Sequence, residues 1–342
     1  NKVVEESYGG YFQANLNTDL GSMPFRASAG VRVVNTQVES SGILSGNYVT
    51  VENSYTDVLP SVNMVLEPFE DFLIRASAAK VMSRPTLGSL TPGGNFSAFT
   101  RVLSFGNPQL DPFRAWSYDV ALEWYFNEEA LLAFAFFYKD ISTFIARRTD
   151  QVTFAELGLD PALLIGTPSS PSDTFDVTRN FNGEGGWLRG FEVQYQQPFT
   201  FLPGLLGNTG FIGNYTNINS EANYAVAPNP PNLNQLRGLS RHAFNATLYY
   251  EDGKFSARAA SSYRSKYLTT FPGRDGNNEE GKNQGYFLDA SMSYALTDNL
   301  RLTVEGVNLL DTYNDQYVNS TNRVSVYHHT GRELLFGVRW SM

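Results

Sequence analysis

Residues 114–126 read "RAWSYDVALEWYF". Trp116, Tyr118, Val120, Leu122, Trp124 and Phe126 take every even position, and Ala115, Ser117, Asp119, Ala121, Glu123 and Tyr125 take the odd ones between them. A period of two puts the two sets on opposite faces of one extended strand. One face is a strip of aromatic and aliphatic side chains, while the other carries two carboxylates. A soluble sandwich with one packed face produces this alternation, and so does a strand standing between lipid and water.

The pattern recurs along the chain. "KFSARAASSYR" (254–264), "YFLDASMSYAL" (286–296), "LRLTVE" (300–305) and "ELLFGVRW" (333–340) alternate in the same way. Weaker copies lie at 11–17, 25–34, 58–66, 72–81, 189–197, 210–216 and 244–251. With 130–145 they predict about thirteen strands. Helical periodicity is nearly absent; "TFAELGLDPALLIG" (153–166) has room for one short helical turn inside a loop.

The connections separate the two architectures. Short ones at 18–24, 67–71, 127–129, 251–253 and 297–299, with a somewhat longer one at 199–208, alternate with long Asn-, Gly-, Ser-, Pro- and Thr-rich segments near 35–54, 84–113, 146–186, 217–238, 267–285 and 309–329. Long structureless loops are uncommon in compact soluble domains, and here they fall on every second connection. Tight turns at one end and long loops at the other describe an antiparallel transmembrane β-barrel, with turns in the periplasm and loops outside the cell. Lipid then meets Trp116, Tyr118, Val120, Leu122 and Trp124, joined by Phe336, Val338 and Trp340 of the last strand, with aromatics near strand ends as the interfacial girdle. A wet lumen meets Arg75, Asp119, Glu123, Arg258, Asp289, Arg301, Glu305 and Arg339. These form either a solvated wall with cross-strand pairs or a surface that touches a plug or a passing ligand. An odd strand count makes the first strand run downward like the last, so an N-terminal part of the barrel is expected upstream.

Composition narrows the partners. A formal net charge of −9 disfavours nucleic acid, whose phosphates need a basic surface. Cysteine is absent, which leaves neither a disulfide framework nor a thiolate metal site. No apolar run reaches the roughly 18 residues of a spanning helix. "YHH" (327–329) is thin as a metal site, because neighbouring strand residues point to opposite faces, and His242 reads as structural. "GEGGW" (183–187) lacks the Lys-Ser/Thr and the helix of a phosphate loop and reads as a flexible loop end. No cofactor or metal is therefore expected. Ser, Asp and His occur in the long segments, but no spacing selects a catalytic set.

Several stretches carry a likeness to a known family. "YTDVLPSVNMVLEP" (55–68), "RASAAKVMSRPTLGSLTPG" (75–93), "FGNPQLDPFRAWSYDVALEWYF" (105–126), "FFYKDISTFI" (136–145), "LTVEGVNLLDTYN" (302–314) and "GRELLFGVRWSM" (331–342) follow one another in family order. The chain thereby resembles the C-terminal barrel of TonB-dependent outer-membrane receptors over essentially its whole length. The stretch 75–126 is most similar to the branch abundant in Xanthomonas- and Caulobacter-like bacteria, often associated with carbohydrate scavenging. The resemblance implies a single domain over 1–342 that forms the later part of a barrel of about 22 strands around a plugged lumen, with the plug and the TonB box lying outside this sequence. It also implies an outer-membrane location, outer-membrane lipid and the barrel assembly machinery as partners, TonB as energy source, and a small nutrient as cargo. Members usually end on Phe, whereas this chain ends Trp340-Ser341-Met342.

Cargo capture is expected at the outer rim, where aromatic faces stack on sugar rings and polar side chains bind hydroxyls. The candidates are Asn95, Phe96, Arg101, Arg147, Arg148, Arg179, Asn180, Trp187, Tyr267 and Tyr327. A carbohydrate is the first expectation and a ferric siderophore the second, since Arg147, Arg148 and Arg179 equally attract an anionic chelate. A passive porin, and more remotely a barrel hydrolase, are the alternatives to an active receptor.

Overall fold

The computed structural model describes residues 1–44, 47–225, 231–274 and 276–341. Thirteen strands build the wall: β1 (Lys2–Leu20), β2 (Met23–Leu44), β3 (Asn47–Phe69), β4 (Phe72–Ser83), β5 (Phe113–Asn127), β6 (Ala130–Thr153), β7 (Gly186–Pro198), β8 (Thr209–Asn223), β9 (His242–Glu251), β10 (Phe255–Arg264), β11 (Gly285–Thr297), β12 (Leu300–Val307) and β13 (Glu333–Trp340). Each pairs antiparallel with the next in sequence. Among the described residues no ladder joins β1 to β13, so the wall is an open sheet rather than a closed barrel. All thirteen segments with period-two patterning fall on these strands.

Register carries the alternation across the sheet. Ile74, Leu122, Phe134, Val193, Tyr215, Phe244, Tyr263 and Tyr286 are successive cross-strand partners from β4 to β11, forming one apolar row. The neighbouring rows are polar: Arg75 donates from Nε to Glu123 at 2.7 Å, and Ser77 donates to Asp119 at 3.2 Å. A one-residue slip would exchange the two faces, so the patterning fixes the pairing. Leu122 is 39% exposed and Trp124 45% exposed, and no second sheet covers them. That excludes the packed sandwich, where such side chains form the core. Among the described residues no helix is long and apolar enough to cross a membrane.

The buried clusters lie instead at the loop end, where the long connections pack on one another and on the ends of the wall strands. Leu103, Phe154, Phe175 and Val177 form one, Val38, Tyr55, Leu90 and Leu110 a second, and Phe144, Ala146, Ala222 and Tyr224 a third. The six long connections all sit at the same end of the wall, as an unbroken antiparallel meander demands, and the tight turns sit at the other.

Those connections hold more order than their composition suggests. Residues 35–44 and 47–54, read as loop from composition, pair in one ladder from Asn35↔Thr56 to Leu44↔Asn47. The far half of β6 pairs with a strand at Thr174–Gly183, and two 3-10 turns (Phe154–Leu157 and Pro161–Leu164) stand where one helical turn was expected. A hairpin of Gly94–Ser97 and Val102–Phe105 docks parallel on residues 176–179. Four short strands from the β10–β11 and β12–β13 connections make a separate sheet. In each case side chains with strand periodicity are interrupted by turn formers, so composition signals a loop while pairing makes a sheet. "GEGGW" is a tight corner rather than a flexible end: Gly185 has φ +95°, and any side chain there would meet the Ile141 carbonyl.

Candidate ligand-binding site at the loop end

The segment between β4 and β5 folds back over the wall. Leu90 and Leu110 pack on Val38 and Tyr55, which lie in the same face of the sheet as Arg75 by register. Ion pairs fasten this flap. Arg114 reaches Asp57 at 2.5 Å and Asp111 at 3.0 Å, while Arg84 reaches Glu5 at 3.3 Å and donates to Ser7 at 2.8 Å. Asp57 is only 2% exposed, so its pairing with Arg114 is needed to offset the cost of burying a charge.

Two adjoining cavities open where the flap meets the outer arms of β6 and of strand 174–183. One, of about 370 Å³, is lined by residues that include Asn95, Ser104, Arg147, Thr178, Arg179 and Asn180. The second, of about 480 Å³, has a more apolar lining that includes Val49, Val51, Phe105, Arg148, Arg179 and Phe181. Strand register explains the convergence. Arg147 is the partner of Asn180 and Arg148 the partner of Arg179 across one ladder, and Phe105 is the parallel partner of Arg179. Five candidates separated by up to 85 positions in sequence (Asn95, Arg147, Arg148, Arg179 and Asn180) thus share one site.

Its charge is unbalanced. Asp150 takes Arg148 at 2.6 Å and Arg179 at 3.8 Å. Among the described residues Arg147 has no ion-pair partner. Arg148 and Arg179 share one carboxylate while Arg147 on the neighbouring position keeps its full charge, so the cavities face a surplus of positive charge, suited to carboxylate, phosphate or catecholate oxygens.

The other candidates stand elsewhere. Phe96 stacks on Phe175 at 5.7 Å and belongs to the apolar core of the connection, which corrects its reading as a ligand contact. Arg101 bridges to Asp173 at 3.0 Å and donates to Ser169, joining two connections. Trp187 continues the apolar face of β7 and lies under the Arg189 guanidinium at 5.0 Å. Tyr267 is covered by Arg264 at 3.9 Å, and Tyr327 clusters with Tyr313 and His329. His329 is held by Asp311 at 2.7 Å, and His242 hydrogen-bonds Tyr215 at 2.8 Å. The composition gave no cue to Thr178, Ser104 or Asp150. On a strand over 146–153, the i+2 spacing of Arg148 and Asp150 places the two on one face.

Outside the wall, Arg274 holds the Glu280 carboxyl below its usual range through a fork of hydrogen bonds, against the opposing effect of burial. This pair pins the β10–β11 connection to the separate sheet.

Comparison with known proteins agrees with this architecture. Residues 1–309 match the family described as TonB dependent receptor-like, beta-barrel. No curated protein sequence matches. Among solved structures, the ferric-catecholate import receptor Fiu from E. coli K12 superposes with TM-score 0.63 at 15% identity, covering 99% of this chain and 45% of Fiu. The siderophore receptor PiuA from Acinetobacter baumannii gives 0.63 at 16%, covering 99% and 43%, and PirA from the same species 0.59 at 13%, covering 99% and 55%. The chain therefore spans about half the length of these structural relatives. The likeness establishes the fold, and the family is one of receptors rather than enzymes. With the match running over nearly all of the wall, this chain belongs to the TonB-dependent receptor β-barrel family, whose members reside in the outer membrane of Gram-negative bacteria.

Proposed function

We propose that this chain is the later wall of an outer-membrane active-transport receptor for a small anionic nutrient, with a ferric chelate ahead of a carbohydrate. One observation carries the choice of cargo: Arg147, Arg148 and Arg179 line two adjoining cavities, and Asp150 pairs with only Arg148 and Arg179. A neutral sugar gains little from that surplus, whereas an anion gains charge-assisted hydrogen bonds. The structural relatives named as siderophore receptors support the same reading. Phe105 and Phe181 offer ring faces for an aromatic chelator or for a sugar.

The faces of the wall divide the remaining work. Trp116, Tyr118, Val120, Leu122, Trp124, Phe336, Val338 and Trp340 meet lipid, since these side chains are apolar, share one face of the sheet by alternation and stand exposed. Arg75, Asp119, Glu123, Arg258, Asp289, Arg301, Glu305 and Arg339 line the water-filled side, where a plug sits in the intact receptor. TonB acts on that plug, and the barrel assembly machinery inserts the wall. The chain's own task is a lipid-compatible enclosure with a selective mouth, and no bond is made or broken.

Titration of the intact receptor with a ferric catecholate, a ferric hydroxamate and a maltodextrin tests the cargo, with the anionic chelate expected to bind tightest. Uptake that stops when TonB is deleted supports an active receptor, and uptake that continues identifies a passive channel.

A further inference from the structure

Five of the six short connections at the tight-turn end are acidic: Asp19, Glu70, Glu128, Asp252 and Asp298 sit in or beside them. The sixth, "FTFLPGLLGN" (199–208) between β7 and β8, has no charged residue. It is also built as a knob. Thr200–Pro203 lead into a 3-10 turn at Gly204–Asn208, closed by Leu202 N–H donating to Phe199 at 2.9 Å and by the Thr209 hydroxyl donating to Leu206 at 2.7 Å. This closure turns Leu205 and Leu206 outward, where they are 73% and 57% exposed beside Phe201 at 64%. A soluble turn does not hold three large apolar side chains outward in a fixed, hydrogen-bonded frame without something to cover them.

Continuity with the apolar face of the wall identifies the cover. Phe199 and Phe201 carry on the odd-numbered series of β7 that includes Val193 and Tyr195, and Phe199 stays in register by donating to Thr209 at 2.8 Å. Tyr195 in turn lies 6.0 Å from the ring of Phe211 on β8, the cross-strand partner of Gln197, so aromatic rings reach the base of the knob with Gln197 as the one polar member of the series. We infer that the 199–208 turn is a lipid anchor that lies in the headgroup–acyl boundary of the periplasmic leaflet, with Phe201, Leu205 and Leu206 as its contacts and phospholipid as its ligand. Aromatic and aliphatic side chains on an uncharged turn partition into that boundary, while acidic turns stay in water. The anchor fixes the height of the β7–β8 hairpin, whose β7 pairs with residues 131–141 of β6. The inference rests on the reading that the apolar face meets lipid.

This chain has no cysteine, so with any cysteine elsewhere in the receptor replaced by serine, single-site nitroxide labels can be placed in the intact receptor in phosphatidylethanolamine–phosphatidylglycerol bilayers. Collision of the label with oxygen reports lipid, and collision with a water-soluble nickel chelate reports solvent. The oxygen-to-nickel ratio at Leu205→Cys is expected to follow that at Leu122→Cys and to exceed that at Asp298→Cys several-fold. A Leu205→Cys ratio equal to Asp298→Cys, with Leu122→Cys still in lipid, overturns the anchor and leaves the wall reading intact. Nickel access at Leu122→Cys overturns both. Nickel access at Leu205→Cys in bilayers, lost in native outer-membrane vesicles, replaces lipid by a periplasmic protein and also overturns the anchor.

Discussion

Placing one arginine on each face of β5 tests the assignment of the wall most directly. Leu122 sits in the apolar row between Ile74 and Phe134, with Val120 and Trp124 two residues away on the same face. Leu122→Arg near mid-membrane is expected to cost about 2–4 kcal/mol of folding stability in a bilayer, roughly 30- to 700-fold in the folded population by the usual conversion of 1.4 kcal/mol per decade. The adjacent Ala121 lies on the polar face, where its partners are Arg75 and Ala135. Ala121→Arg therefore brings a like charge opposite Arg75, which costs about 0.2–1 kcal/mol, and Glu123 beside it compensates part of that. Urea titration of the two variants folded into phospholipid vesicles, followed by the shift in gel mobility of the folded barrel, measures both. Equal losses, or a larger loss at Ala121, would refute the division of faces on which the fold rests.

Three further outcomes follow from the loop end. Arg147→Ala removes the guanidinium that has no ion-pair partner, and calorimetric titration should show affinity for a ferric catecholate falling by about 10-fold or more, as loss of a charged hydrogen bond requires. Maltodextrin binding should not change. Asp57→Ala leaves Arg114 with Asp111 as its remaining partner and removes one tether of the flap, which should loosen it by about 1–3 kcal/mol, seen as faster proteolysis and hydrogen exchange across 84–112. Acid should loosen the sheet formed by the last two long connections: Arg274 lowers the folded-state pKa of Glu280, so its stabilisation is complete above the ordinary carboxylate range and is lost as pH falls through the folded value. Hydrogen exchange across 267–326 at falling pH reads this, and Glu280→Gln should remove the pH dependence.

Reading strands from sequence succeeded where each face has one solvent and failed where a segment is covered on one side only locally. The alternation at 116–126 is complete because every even side chain there faces the same surroundings. At 146–153 the run "ARRTDQVT" has the same periodicity in polar residues, but two arginines and an aspartate without an apolar face read as loop. Phe96 illustrates the opposite error. An aromatic in a Gly-rich connection has the composition of a sugar-stacking residue, and only its contact with Phe175, far along the chain, makes it core.

The sequence alone determined the thirteen strands of the wall, their two faces and the end to which each connection belongs, because these depend on a period of two and on the alternation of a meander, both local properties. Tertiary structure decided which residues meet at the mouth. Asn95, Arg147 and Arg179 converge because a hairpin from one connection pairs edge-on with a strand from another, and such long-range register leaves no trace in local periodicity. It likewise decided the charge of the site, since Asp150 balances some of these guanidiniums and leaves Arg147 unpaired.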